Sequence, residues 1–166
     1  MRMELIQPFI NAADAVLAES LQGSTRIEDV SMEPEVYRRK GIAAKIVIRG
    51  DIEGRVIFDM TPPTAVAIAS AIAGSEVPEA DTMVSEAICE LANQVIGNAV
   101  TTLNDQGFSF KVFPPEVHSS EEGLHGSEDT EALVMCFVTV SGPVFMNIAM
   151  HYHRRRRNER GAAVDM

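Results

Sequence analysis

Four residues between positions 86 and 97 have the types and spacing to do chemistry together. Glu86, Glu90, Asn93 and Gly97 stand in the stretch SEAICELANQVIGNAV, residues 85–100. At about 100° per residue they share a sector of a helix roughly 60° wide, while Val84, Ile88, Leu91, Val95 and Ala99 take the opposite side and read as core. A carboxylate can pair with a cation, and a carboxamide close by both accepts and donates hydrogen bonds. The plain alternative is a solvent-facing side with no task. Two details weigh against it. Glu86 and Glu90 are like charges at i and i+4, which destabilise a helix by about 0.2–0.5 kcal/mol, and no Lys or Arg from residue 56 to 110 offsets them. Gly97 costs a further ~1 kcal/mol relative to alanine in a helix interior. On one stripe, these describe an open acidic surface where another molecule's backbone could approach Asn93.

The elements that must carry this stripe are legible on either side of it. Asp81 suits the N-cap of the helix, which is expected to run to about Asn104 before Asp105-Gln106-Gly107 ends it. Phe9, Ala13, Val16, Leu17 and Leu21 predict an earlier amphipathic helix over 8–21, with Pro8 in its first turn and Gly23 past its end. Ile42, Ile46 and Ile48, then Val56, Phe58 and Met60, alternate with polar residues and predict a hairpin turning at Gly50-Asp51-Ile52-Glu53-Gly54. Thr61-Pro62-Pro63 opens a second helix that Gly74 closes. Strands follow at 108–113, 131–141 and 144–151, with Ser141-Gly142-Pro143 as the last turn. The strand from Ala132 to Val140 is apolar on both faces, which predicts a sheet covered on both sides by helices. The order lacks strict βαβ alternation. The fold class is α+β, a mixed or antiparallel sheet packed with three main helices, and the chain reads as one domain over residues 1–151.

Composition narrows the function classes. The chain has 166 residues, 46% of them hydrophobic, enough for a real core. Between Gly50 and Met150 stand fifteen acids against Arg55 and Lys111, a field that repels a phosphate backbone, so nucleic acid is not expected as a partner. Arg154, Arg155, Arg156, Arg157 and Arg160 make the segment 152–166 a basic C-terminal tail, read as a solvated, frayed end. No signal-peptide pattern and no membrane-length apolar run is present, so a cytoplasmic protein is expected, with Cys89 and Cys136 as buried reduced thiols.

The pattern around the stripe resembles the CheC, CheX and FliY phosphatases of bacterial chemotaxis, and within them the single-site CheX branch. The residues that carry the resemblance are Glu90-Leu91-Ala92-Asn93 as the family's Glu-x-x-Asn, Gly97, and Pro114-Pro115 after a strand. The Gly50 to Gly54 hairpin and the early Pro8-Phe9-Ile10 helix add to it. Glu86 departs from the Ser or Asp often found four residues before the motif glutamate. The resemblance implies hydrolysis of the aspartyl phosphate on a CheY-like response regulator. Asn93 would orient the attacking water and Glu90 would dock to the receiver's lysine; Glu86 and Gly97, from their place on the same stripe, are read as partner-binding. It also implies no cofactor of the chain's own, with Mg²⁺ supplied by the phosphorylated receiver, one site per chain, and homodimers that pair through their sheets.

Rival readings are fewer. His118, Glu121, Glu122 and His125 fall in a polar loop over 114–130 without the spacing of a helix-borne metal site, so no metal is assigned. No GxSxG elbow, GxxxxGK[ST] loop or GxGxxG fingerprint occurs. Asn98 lies beside the core face and reads as a structural, hydrogen-bonded asparagine. The alternative from another class is a non-catalytic module that uses the same acidic stripe to hold a receiver or a motor component.

Overall fold

The computed structural model describes residues 3–34, 41–118 and 131–153. In chain order these form α1 (Met3–Leu21), β1 (Arg26–Pro34), β2 (Ile42–Gly50), β3 (Ile52–Met60), α2 (Pro62–Ala73), α3 (Thr82–Asp105), β4 (Phe110–Val112), β5 (Glu116–His118), β6 (Glu131–Thr139) and β7 (Gly142–Tyr152). The strands make one seven-stranded antiparallel sheet in the order β1-β6-β7-β3-β2, with β4 and β5 both on the outer edge of β2. The class is α+β, an antiparallel sheet with three helices, as expected.

The hairpin of β2 and β3 turns where the glycines allow it. Gly50 and Gly54 have φ of 150° and 153°, and a Cβ on Gly54 would fall 1.9 Å from the Ala149 carbonyl oxygen on β7. Only glycine lets the two backbones pass this closely. Gly74 closes α2 in the left-handed region at φ 73°, the C-cap expected of it.

Three helices and one face of the sheet share a single apolar cluster. Ile46, Ile48, Phe58, Met60, Met135, Phe137, Met146 and Ile148 all point into it. The expectation of helices on both faces is therefore corrected: among the described residues every helix packs on this side. The opposite face carries a smaller cluster, Ala43 with Ile57, and a buried polar pair in which Arg55 Nη1 donates to Asn147 Oδ1 at 2.5 Å. There Val134 and Val138 are only half-buried. Apolar residues on two faces of β6 show that both avoid full exposure, but not that a helix supplies the cover.

Several boundaries also move. α1 begins at Met3, with Pro8 inside it. A proline there forfeits the bond to the Glu4 carbonyl at a cost of ~3 kcal/mol. Full burial of Leu5 and Ile6 contributes about 1.5–3 kcal/mol each, enough to hold the added turn. β1 replaces what reads as a polar connection, and every one of its residues is exposed. A bulge between Glu28 and Ser31 breaks its pairing with β6. The strand expected over 108–113 shrinks to β4, and the supposed loop contributes β5, because Pro114 and Pro115 have no N–H to give β2 and split the edge strand in two. The last turn is the pair Val140-Ser141, since Thr139 pairs with Gly142 and Pro143 already sits in β7 opposite Val138. Tyr152, the expected first residue of the tail, instead ends β7 with its ring in the core. The arginine run from 154 onward lies outside the described residues.

Candidate functional site

α3 is a 24-residue helix held at its start by Asp81, whose side chain accepts from the Met83 N–H at 2.9 Å. That bond satisfies one of the orphan donors of the first turn. Val84, Ile88, Leu91, Ala92, Val95, Ile96, Ala99 and Leu103 are buried, so the helix cannot roll about its axis without exposing them. This leaves Glu86, Glu90, Asn93 and Gly97 all exposed in a row on its outer side. The structure thus brings together the four residues singled out from the wheel, on the exposed outer side of one helix.

Two local facts describe what this row offers. Among the described residues the Asn93 carboxamide has no hydrogen-bond partner, so its donors and its acceptor are all free to take a water or a ligand. A Cβ built on Gly97 meets no atom within 4 Å, so the packing of the described residues does not ask for glycine there. Gln94, which the wheel did not single out, donates from Nε2 to Glu90 Oε1 at 3.0 Å. Its own Oε1 lies 3.4 Å from Ser20 Oγ on α1. The signal for it in the sequence was only its i+4 spacing from Glu90.

Asn98 is corrected: it is exposed. With Thr102 of α3, Gln106 at its C-cap, and Glu4, Gln7 and Asn11 of α1, it lines an open groove of about 440 Å³. Gln7 Nε2 donates to Asn11 Oδ1 at 2.8 Å across one turn of α1. Cys136 is buried and Cys89 half-buried, and burial pushes the Cys89 thiol above its ordinary range. His118 lies on β5, beside Glu116 at 3.6 Å, while Glu121, Glu122 and His125 fall outside the described residues. Among the described residues no three His, Cys, Asp or Glu side chains converge as metal ligands, and no helix is long and apolar enough to cross a membrane.

A family model, chemotaxis phosphatase CheX, matches residues 42–151. The chain belongs to the CheX family. That span runs from β2 to the penultimate residue of β7 and contains the whole of α3. Solved structures agree over more of the chain. A CheC-like superfamily protein from a Shewanella species superposes with a TM-score of 0.78 at 20% identity, covering 91% of this chain and 99% of its own. A chemotaxis protein CheX from Vibrio vulnificus gives 0.76 at 22% identity over 89% and 99%. The CheX of Borrelia burgdorferi, solved as a CheX–CheY–BeF3–Mg²⁺ complex, gives 0.73 at 28% identity over 90% and 99%. No curated protein matches the chain in sequence.

Proposed function

We propose that this CheX-family chain hydrolyses the aspartyl phosphate of a phosphorylated CheY-like receiver domain, with Asn93 orienting the attacking water and Glu90 docking to the receiver's lysine. The observation that carries the reading is the exposed, unpartnered carboxamide of Asn93 on the same face as the Glu90 carboxylate. An acyl phosphate is already reactive, and the receiver brings phosphoaspartate, Mg²⁺ and lysine. The chain then needs only to place a water in line with the departing carboxylate. A carboxamide suits this because it holds a water by one accepted and one donated bond and adds no negative charge beside the phosphoryl group. An exposed helix side suits it too, because the reacting group lies in the partner's pocket. The CheY complex of the Borrelia relative supports a receiver as partner.

The same reading has the chain supply no metal and work in the cytoplasm, where receivers are. It also has two copies pair through their sheets, supported by Ile27, Val30 and Met32, which are 38%, 57% and 47% exposed on the edge strand β1. The test of the catalytic claim is Asn93→Ala. The variant should melt with the parent and still bind the receiver, yet lose at least about 100-fold of the dephosphorylation rate, the scale set by removing one preorganised polar group. A folded variant that works as fast as the parent removes Asn93 from the reaction. A parent that binds receiver without shortening its phosphate lifetime would leave a holding module instead.

A further inference from the structure

The Glu90 carboxylate is not left to swing. In a helix the Cα–Cβ bond tilts toward the N-terminus, which would carry Glu90 over the turn that holds Glu86, its like-charged neighbour. The bond from Gln94 Nε2 to Glu90 Oε1, 3.0 Å long, instead draws the carboxylate toward the turn that holds Asn93. The hydroxyl of Ser20 stands 3.4 Å from Gln94 Oε1. That is long for an O–H donor, but it lies on the side that turns the amide's carbonyl to α1 and its NH₂ to Glu90. The second oxygen of Glu90 has no partner among the described residues.

The choice of side chain matters as much as the distance. Four residues after a glutamate is where a lysine or arginine gives the best helix pair, yet this position and the whole of residues 56–110 hold neither. An amide fills one lone pair of the carboxylate and leaves its charge uncompensated, which a lysine would not. From this we infer that Gln94 is a positioning residue: it presets the Glu90 carboxylate, with one oxygen and its full charge free, for an incoming ammonium group. The inference rests on the docking role given to Glu90 above.

Steady-state dephosphorylation of a phosphorylated receiver tests it with Gln94→Leu, Gln94→Lys, Glu90→Ala and the double variant Glu90→Ala/Gln94→Leu. Gln94→Leu should raise KM about two- to ten-fold, the fold-change equivalent to freezing one rotamer-rich side chain on binding. Its kcat should stay within about two-fold and its melting temperature should not change, since the position is exposed and leucine is a good helix former. Gln94→Lys should raise KM further without lowering the melting temperature, because its ammonium competes for the carboxylate. In the Glu90→Ala background the leucine change should do nothing more. The inference falls if Gln94→Leu leaves KM alone while Glu90→Ala raises it, or if the two changes multiply in the double variant. If Glu90→Ala itself leaves KM unchanged, the docking role of Glu90 fails first. Should Gln94→Leu lower the melting temperature, Gln94→Ala is read in its place, with the same KM expected.

Discussion

Replacing Gly97 with alanine should move stability and activity in opposite directions. A glycine in the interior of an exposed helix costs about 0.8–1.0 kcal/mol relative to alanine, and the added Cβ would meet no atom of the described residues within 4 Å. Gly97→Ala should therefore raise the melting temperature by about 2–4 °C, the shift that ~1 kcal/mol produces in a domain of this size. The methyl stands about 1.5 Å further from the helix than the glycine Cα. If a receiver's backbone rests on that surface at van der Waals contact, it must retreat by a comparable distance. A misplacement of ~1 Å at a reacting centre can cost about 100-fold in rate. Thermal melting followed by circular dichroism, with receiver dephosphorylation on the same preparation, reads both effects. A variant both more stable and fully active would show that no partner approaches this turn. A variant less stable than the parent would show that glycine serves the fold after all.

Other consequences are open to simpler measurements. If the metal belongs to the partner, as proposed, EDTA should abolish dephosphorylation of the receiver while leaving the melting temperature of this chain alone; a lowered melting temperature would place a metal in this protein. Val30→Asp, at a residue 57% exposed on an edge strand, should shift the proposed dimer to monomer by light scattering at unchanged fold. A parent that is already monomeric, or a variant that stays dimeric, removes β1 from the pairing. Burial holds the Cys89 thiol above its ordinary range, so the neutral thiol predominates until the pH rises through that raised value. At pH 8 iodoacetamide should accordingly label Cys89 more slowly than it labels free cysteine, and labelling at an equal rate would contradict the burial.

Much of this was open to inspection in the residues because local rules and global packing agree there. Asp81 caps α3, Thr61-Pro62 opens α2, Gly74 closes it, and the paired glycines turn the β2–β3 hairpin, each for a reason confined to a few neighbours. The apolar side of α3 alone sufficed to place Glu86, Glu90, Asn93 and Gly97 on its outer side. The misses have the opposite origin. β1 is exposed along its whole length, so it carries no alternation to read, and its existence depends on β6, far along the chain, where Pro34 pairs with Glu131 and Arg26 with Val138. The start of α1 was hidden because Pro8 argues against helix locally while burial of Leu5 and Ile6 argues for it only once the sheet is present. Gln94 is polar and lies at the edge of the stripe; what marks it is a 3.0 Å bond that no spacing rule could have required.

The costs on the outer side of α3 show why such a site can exist on a helix at all. Like charges at Glu86 and Glu90 cost about 0.2–0.5 kcal/mol and Gly97 ~1 kcal/mol. Each is smaller than the ~1.5–3 kcal/mol that one fully buried leucine or isoleucine contributes on the other side, where Ile88, Leu91, Ile96 and Leu103 all lie at 3% exposure or less. The core therefore sets where the helix lies, and the outer residues are free to be chosen for what they meet. A cleft enzyme must bury its polar groups and satisfy them internally. On the proposed reading Asn93 stays wet and unpaired and Glu90 keeps one oxygen free until a partner arrives, and desolvation comes from the partner's own pocket. It follows that the isolated chain should show almost no hydrolysis of a small acyl phosphate such as acetyl phosphate, because among the described residues Asn93 is left exposed to water. Turnover of acetyl phosphate at rates comparable to those on a receiver would mean that the reacting pocket belongs to this protein and not to its partner.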